Sequence, residues 1–164
     1  MITRARLISG EEYQPLNDRR LVHQLFALGM LSAATLIFET SLTRFLAVAQ
    51  FYHFSFLVVS LALLGFGASG TFLSVFPALR SINLSRLLAG LSICFAFSLV
   101  ISYTAVNFLP FDSYSIAWDA RQVVYFLLYY LSLSLPFLIS GLGIGAALSR
   151  AGEGHFLYYG ANLI

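Results

Sequence analysis

Four apolar runs, each long enough to cross a bilayer, set the limits on what this chain can become. They cover residues 22–49, 54–76, 86–109 and 123–148. A hydrocarbon core of about 30 Å takes about 20 helical residues at about 1.5 Å each. Backbone groups in lipid have no water to bond, so each run must satisfy its own as a helix. The runs lack the period-two alternation of a membrane barrel. The expected fold is an all-α polytopic membrane bundle, with four transmembrane helices plus the start of a fifth. Composition agrees: only 10% of the 164 residues are charged, against about a quarter in soluble domains.

Three regions follow. Residues 1–20 are polar and lack the apolar stretch of a signal peptide, so they read as a cytoplasmic lead-in. Residues 21–150 form the four-helix transmembrane domain. Residues 151–164 end in "HFLYYGANLI", too short to span, and are expected to open a fifth helix truncated here. All nine basic residues are Arg. Arg4, Arg6, Arg19, Arg20, Arg80, Arg86 and Arg150 fall on one side of the membrane, Arg44 and Arg121 toward the other. That bias predicts a cytoplasmic N-terminus, in a bacterial inner (plasma) membrane. The 107–122 connection then lies outside, with Phe111, Tyr114 and Trp118 as an interfacial belt and Asp112 and Asp119 in water. A short surface helix is expected over 115–121. Cys94, the single cysteine, has no internal disulfide partner.

Two glycine clusters invite a nucleotide reading. "GFGASG" at 65–70 matches G-x-G-x-x-G, but that fingerprint needs a strand before it and a helix after it. Inside a membrane helix, small residues instead let neighbours approach. Gly65, Gly67, Gly70, Gly141, Gly143 and Gly145 are therefore expected at helix contacts. Gly65 and Gly141 fall at similar depths in two helices of the same direction, as a duplicated hairpin would place them. Pro136 removes the bond to the Ser132 carbonyl and should kink the fourth helix. Ser132 or Ser134 is expected to re-satisfy the freed group.

The stretch "IFETSLTRFLAVAQFYHF" at 37–54 places Glu39 and Arg44 inside an apolar run. An ionised group at mid-helix costs about 2.5–3.5 kcal/mol on insertion scales. Five residues are about 140° of helical rotation, so the two do not share a face. Arg44 can extend its guanidinium toward headgroups, whereas Glu39 cannot. Partners for Glu39 are the Thr43 hydroxyl, His53 across the hairpin, or a group on another helix. If the first helix ended near residue 41, Glu39 would be interfacial. Otherwise the carboxylate is either a polar lock between helices or a proton or cation site.

His53, His23 and His155 have no second ligand at i+3 or i+4, so no metal site is expected. No triad, P-loop, zinc spacing or paired carboxylates can be assembled, so no catalytic role and no cofactor is expected. With 16 Phe and 9 Tyr, the aromatic load suits contact with neighbouring helices, bound lipid or pigment alike. The small net charge of +2 gives no nucleic-acid footprint.

The block "FETSLTRFLAVAQFYHFSFLVVSLALLGFGASG" resembles the membrane region of spermidine synthase-like integral membrane proteins. The residues that carry the resemblance are Phe38-Glu39, Leu42-Thr43-Arg44, Tyr52-His53-Phe54 and 59–65. Trp118-Asp119, Tyr129-Tyr130, Pro136-Phe137 with Gly141, and "LYYGANLI" extend it to the C-terminus. The resemblance implies a multi-helix segment preceding a soluble aminopropyltransferase-like domain, which these 164 residues do not contain. It implies no catalytic residue here. The expected function is a non-catalytic membrane scaffold or accessory subunit. Its partners would be the bilayer and other transmembrane subunits, or more of its own chain. The alternative is part of a small-molecule or polyamine transporter with Glu39 as its intramembrane cation or proton site.

Overall fold

The computed structural model describes residues 18–49, 55–112, 115–150 and 155–163. The helices are α1 (Asp18–Ala49), α2 (Ser55–Val75), α3 (Leu84–Phe108), α4 (Ala120–Leu148) and α5 (His155–Leu163), with 3-10 turns at Pro77–Ser81 and Ser115–Ala117. No strand occurs among the described residues. The molecule is an all-α bundle, and its first four helices are long and apolar enough to cross a membrane.

Helix ends are set by capping chemistry that the apolar pattern does not contain. Asp119 Oδ1 accepts from the Arg121 N–H at 2.9 Å, so α4 begins at Ala120, three residues before the apolar run. A carboxylate here satisfies an orphan donor and complements the helix dipole. The same cap corrects the expected surface helix over 115–121: only the three-residue turn Ser115–Ala117 forms before α4 takes over. Trp118 beside it is 81% exposed. Asn83 plays the capping part for α3, accepting from the Ser85 N–H at 3.0 Å.

Consecutive helices alternate in direction, so α2 and α4 run parallel, as do α1, α3 and α5. Helix α4 is central, contributing to each of the buried clusters. One joins Leu42 and Leu46 of α1, Val58 and Leu61 of α2, and Tyr129, Leu133 and Phe137 of α4. A second joins Leu73, Leu87, Leu142 and Ala146. The third, at the N-terminal side of the bundle, joins Leu28, Ala147 and Tyr158. Large apolar side chains such as Phe26, Leu63, Phe97 and Leu127 point outward, as lipid-facing residues do.

The contact between α2 and α4 depends on missing side chains. A Cβ on Gly65 would fall 2.5 Å from Phe137 Cβ and 2.8 Å from the Leu138 nitrogen. One turn on, a Cβ on Gly141 would meet Ser69 Oγ at 2.5 Å, and one on Gly145 would meet Leu73 Cδ1 at 2.9 Å. Residues 65, 69 and 73 thus lie against 137, 141 and 145, at i, i+4 and i+8 on both helices, with a glycine on one side of each pair: Gly65 against Phe137, Gly141 against Ser69 and Gly145 against Leu73. Gly143 turns toward α1, where a Cβ would meet Leu31 Cδ2 at 2.7 Å. Two expectations need correction. A Cβ on Gly67 or Gly70 would meet nothing within 4 Å, because they stand two and five residues along from Gly65, about 200° and 140° of net rotation. Gly65 and Gly141 also differ in depth by one turn, since Gly65 lies opposite Phe137.

Helix α4 continues unbroken through Pro136. The carbonyl it frees, on Ser132, accepts from Ser102 Oγ of α3 at 2.8 Å. This corrects the expectation that Ser132 or Ser134 would fill that role. Their hydroxyls reach back within α4, to the Leu128 carbonyl at 2.7 Å and the Leu131 carbonyl at 2.9 Å. A side chain on α4 reaches carbonyls a turn behind it, so the Ser132 oxygen is served from the facing helix.

Beyond the end of α4, Arg150 donates from Nη1 to the Ile82 carbonyl at 2.6 Å and from Nη2 to the Leu79 carbonyl. The guanidinium fork thereby fastens the α2–α3 connection to α4. Arg150→Lys keeps the charge but not the fork. It is expected to speed amide exchange across residues 77–82 by about fivefold, a local effect of about 1 kcal/mol. Unchanged exchange there would dismiss the clamp.

Candidate functional site

Helix α1 continues ten residues past Glu39 to Ala49, so the carboxylate is not interfacial. It lies about 14 Å of helix rise from the far end of the span at Val48. Phe38 beside it packs on Phe137, ring centroids 5.4 Å apart. Glu39 is half-buried and Arg44 exposed, as the rotation between them requires. The expected partner Thr43 donates its hydroxyl to the Glu39 main-chain carbonyl at 2.8 Å, not to the carboxylate. A threonine in a helix commonly back-bonds one turn. His53, the other named partner, lies outside the described residues.

What the carboxylate faces is a cleft of about 270 Å³ lined by Ser32, Thr35, Leu36, Glu39, Phe66, Ile144 and Asn162. Four helices build it. Ser32, Thr35, Leu36 and Glu39 stand at i, i+3, i+4 and i+7 on α1, one stripe of the helix. Phe66 comes from the middle of α2, Ile144 from α4 and Asn162 from α5. Among the described residues, no hydrogen bond or ion pair reaches the Glu39 carboxylate. The hydroxyls around it are engaged as donors: Ser32 Oγ shares its one proton between the Leu28 carbonyl at 3.0 Å and Asn162 Oδ1 at 2.8 Å, and Thr35 Oγ1 donates to the Leu31 carbonyl at 2.8 Å. Their remaining capacity toward the cleft is as acceptors, and among the described residues that line it Glu39 is the one ionisable group.

Asn162 reaches the cleft because α5 is tied along α1. Tyr158 donates its hydroxyl to Gln24 Oε1 at 2.7 Å, and Gln24 Nε2 donates to Ser85 Oγ of α3 at 2.9 Å. Gly29 permits the approach, since a Cβ there would come within 3.2 Å of the Ala161 carbonyl. Tyr158→Phe is expected to raise amide exchange over α5 about three- to tenfold, a loss of about 1 kcal/mol of docking. Equal exchange in both proteins would show that Asn162 and apolar contact hold α5 alone.

Sequence reading picked out Glu39 but not Ser32, Thr35, Phe66 or Asn162. The α1 stripe was present as a spacing of polar residues, and Asn162 as a lone amide in an apolar run. Nothing in the sequence joins the two. Among the described residues, no three His, Cys, Asp or Glu gather as a metal site. Cys94 is exposed on α3.

Fold and cleft together define an all-α integral membrane protein: four helices that can span the bilayer, a short fifth, and a carboxylate-bearing cleft at membrane depth. Compared with protein-family models, curated proteins and solved structures, the chain matches none.

Proposed function

We propose that this chain is a non-catalytic membrane scaffold or accessory subunit that packs against further transmembrane helices. These belong to a larger membrane protein or complex, in a bacterial inner membrane with the N-terminus in the cytoplasm. The observation that carries this reading is how the polar groups within the spans and at their ends are used. Ser102 serves the Ser132 carbonyl, Ser32 serves Asn162, and Tyr158, Gln24 and Ser85 form a chain across three helices. Polar side chains so placed hold helices together. The resemblance to the membrane region of spermidine synthase-like proteins supports the same reading, as does the arginine bias for orientation.

Native mass spectrometry on protein extracted in mild detergent tests the scaffold. A particle heavier than the 18.1 kDa chain, containing further membrane helices, is expected. A lone 18.1 kDa particle, with no neighbour captured by cross-linking in the intact membrane, would refute it. For orientation, Asp112→Cys in a Cys94→Ser background should react with an impermeant thiol reagent from outside whole cells.

The Glu39 cleft favours a second reading, part of a small-molecule or polyamine transporter with Glu39 as its cation or proton site. Glu39→Gln separates the two. Transport lost with assembly intact supports the transporter, and failed assembly supports a structural carboxylate.

A further inference from the structure

The lining of the Glu39 cleft is selective in a way that its carboxylate alone would not be. Four kinds of group face it. The carboxylate accepts hydrogen bonds and donates none when ionised. The Ser32 and Thr35 hydroxyls have their protons committed to main-chain carbonyls and to Asn162, so toward the cleft they too accept. Leu36, Phe66 and Ile144 supply an apolar wall. Asn162, its Oδ1 taken by Ser32, adds one neutral amide donor. Acceptors still outnumber donors, and with the carboxylate ionised they favour a positively charged donor. Its volume, about 270 Å³, approaches that of sites for small organic molecules, from about 300 Å³ upward. A bare metal cation would leave the apolar wall without a partner.

We propose that this cleft binds a primary alkylammonium ion. Its three N–H donors meet the Glu39 carboxylate and the Thr35 and Ser32 oxygens, and its alkyl chain lies along Leu36 and Ile144 with the Phe66 ring near the charge. The ring face adds cation–π attraction, and burial strengthens the charge pair over its value in water. Asn162, held by Ser32, forms the wall from the α5 side. The proposal uses the cleft on which the transporter reading rests, but concerns binding only.

The test is calorimetric titration of the full chain in detergent micelles with n-pentylammonium chloride, against 1-pentanol and sodium chloride at equal concentration. Saturable binding of pentylammonium alone is expected. Glu39→Gln should weaken it by about tenfold or more, and Phe66→Leu by about threefold. Equal binding of pentanol, displacement of the amine by sodium, or unchanged affinity in a well-folded Glu39→Gln protein would overturn the proposal. Should Glu39→Gln aggregate, Thr35→Val and Phe66→Leu decide it, and unchanged affinity in both rejects the site. Amine uptake by proteoliposomes is measured separately. Saturable binding without uptake sustains this proposal and removes the transporter reading, while uptake without saturable binding does the reverse.

Discussion

Gly65→Ala is expected to destabilise the bundle by about 1–3 kcal/mol, the cost of overpacking a close contact. The new Cβ would fall 2.8 Å from the Leu138 nitrogen and 2.9 Å from the Phe137 carbonyl carbon. Those are main-chain atoms of α4, so no rotamer change relieves the clash and the two helices must separate. Gly67→Ala, two residues along, should do the opposite. Its Cβ meets nothing within 4 Å, and alanine is the better helix former by up to about 1 kcal/mol. Gly141→Ala and Gly145→Ala belong between them, because Gly141 faces the side chains of Ser69 and Phe66 and Gly145 a Leu73 methyl, which give more readily than main chain. Thermal unfolding in detergent should rank the variants with Gly65→Ala least stable and Gly67→Ala most stable. Equal effects at 65 and 67 would mean that α2 is rotated from the face described here.

The second large effect lies at Pro136. Ser102→Ala removes the hydroxyl that serves the freed Ser132 carbonyl at 2.8 Å and is expected to cost about 1–2 kcal/mol. In a Pro136→Ala background the same change should cost less than about 0.5 kcal/mol. Alanine at 136 restores an N–H to bond that carbonyl within the helix, leaving Ser102 with nothing essential to do. The double-mutant cycle therefore carries a coupling of about 1 kcal/mol. The volume lost at Pro136 is common to both arms and cancels. Additive effects would show that Ser102 and Pro136 act independently.

The helices were legible because lipid makes them so. A run of about 20 apolar residues has one good solution at that depth, and the observed spans follow the expected ones with shifts of a few residues. Helix starts shifted most, since Asp119 is a polar residue whose capping function depends on its neighbour's N–H. The glycines were legible as a class but not one by one. Gly65 and Gly67 look alike in composition, and only the rotation of α2 against α4 separates a contact from an open face. Glu39 was legible as an oddity for its charge, yet its surroundings were not. Ser32 and Asn162 are 130 residues apart, and no spacing rule reaches that far.

By itself the sequence determined that this chain is a bundle of apolar helices with its charges near the ends, Glu39 excepted. Lipid penalises each residue locally, so the pattern can be read residue by residue. Only the tertiary structure decided which partner serves each polar group. Ser102 answers Pro136 across α3 and α4, and Ser32 holds Asn162 across α1 and α5. A hydrogen bond or a missing Cβ acts over a few ångströms in space, and distance along the chain does not record it.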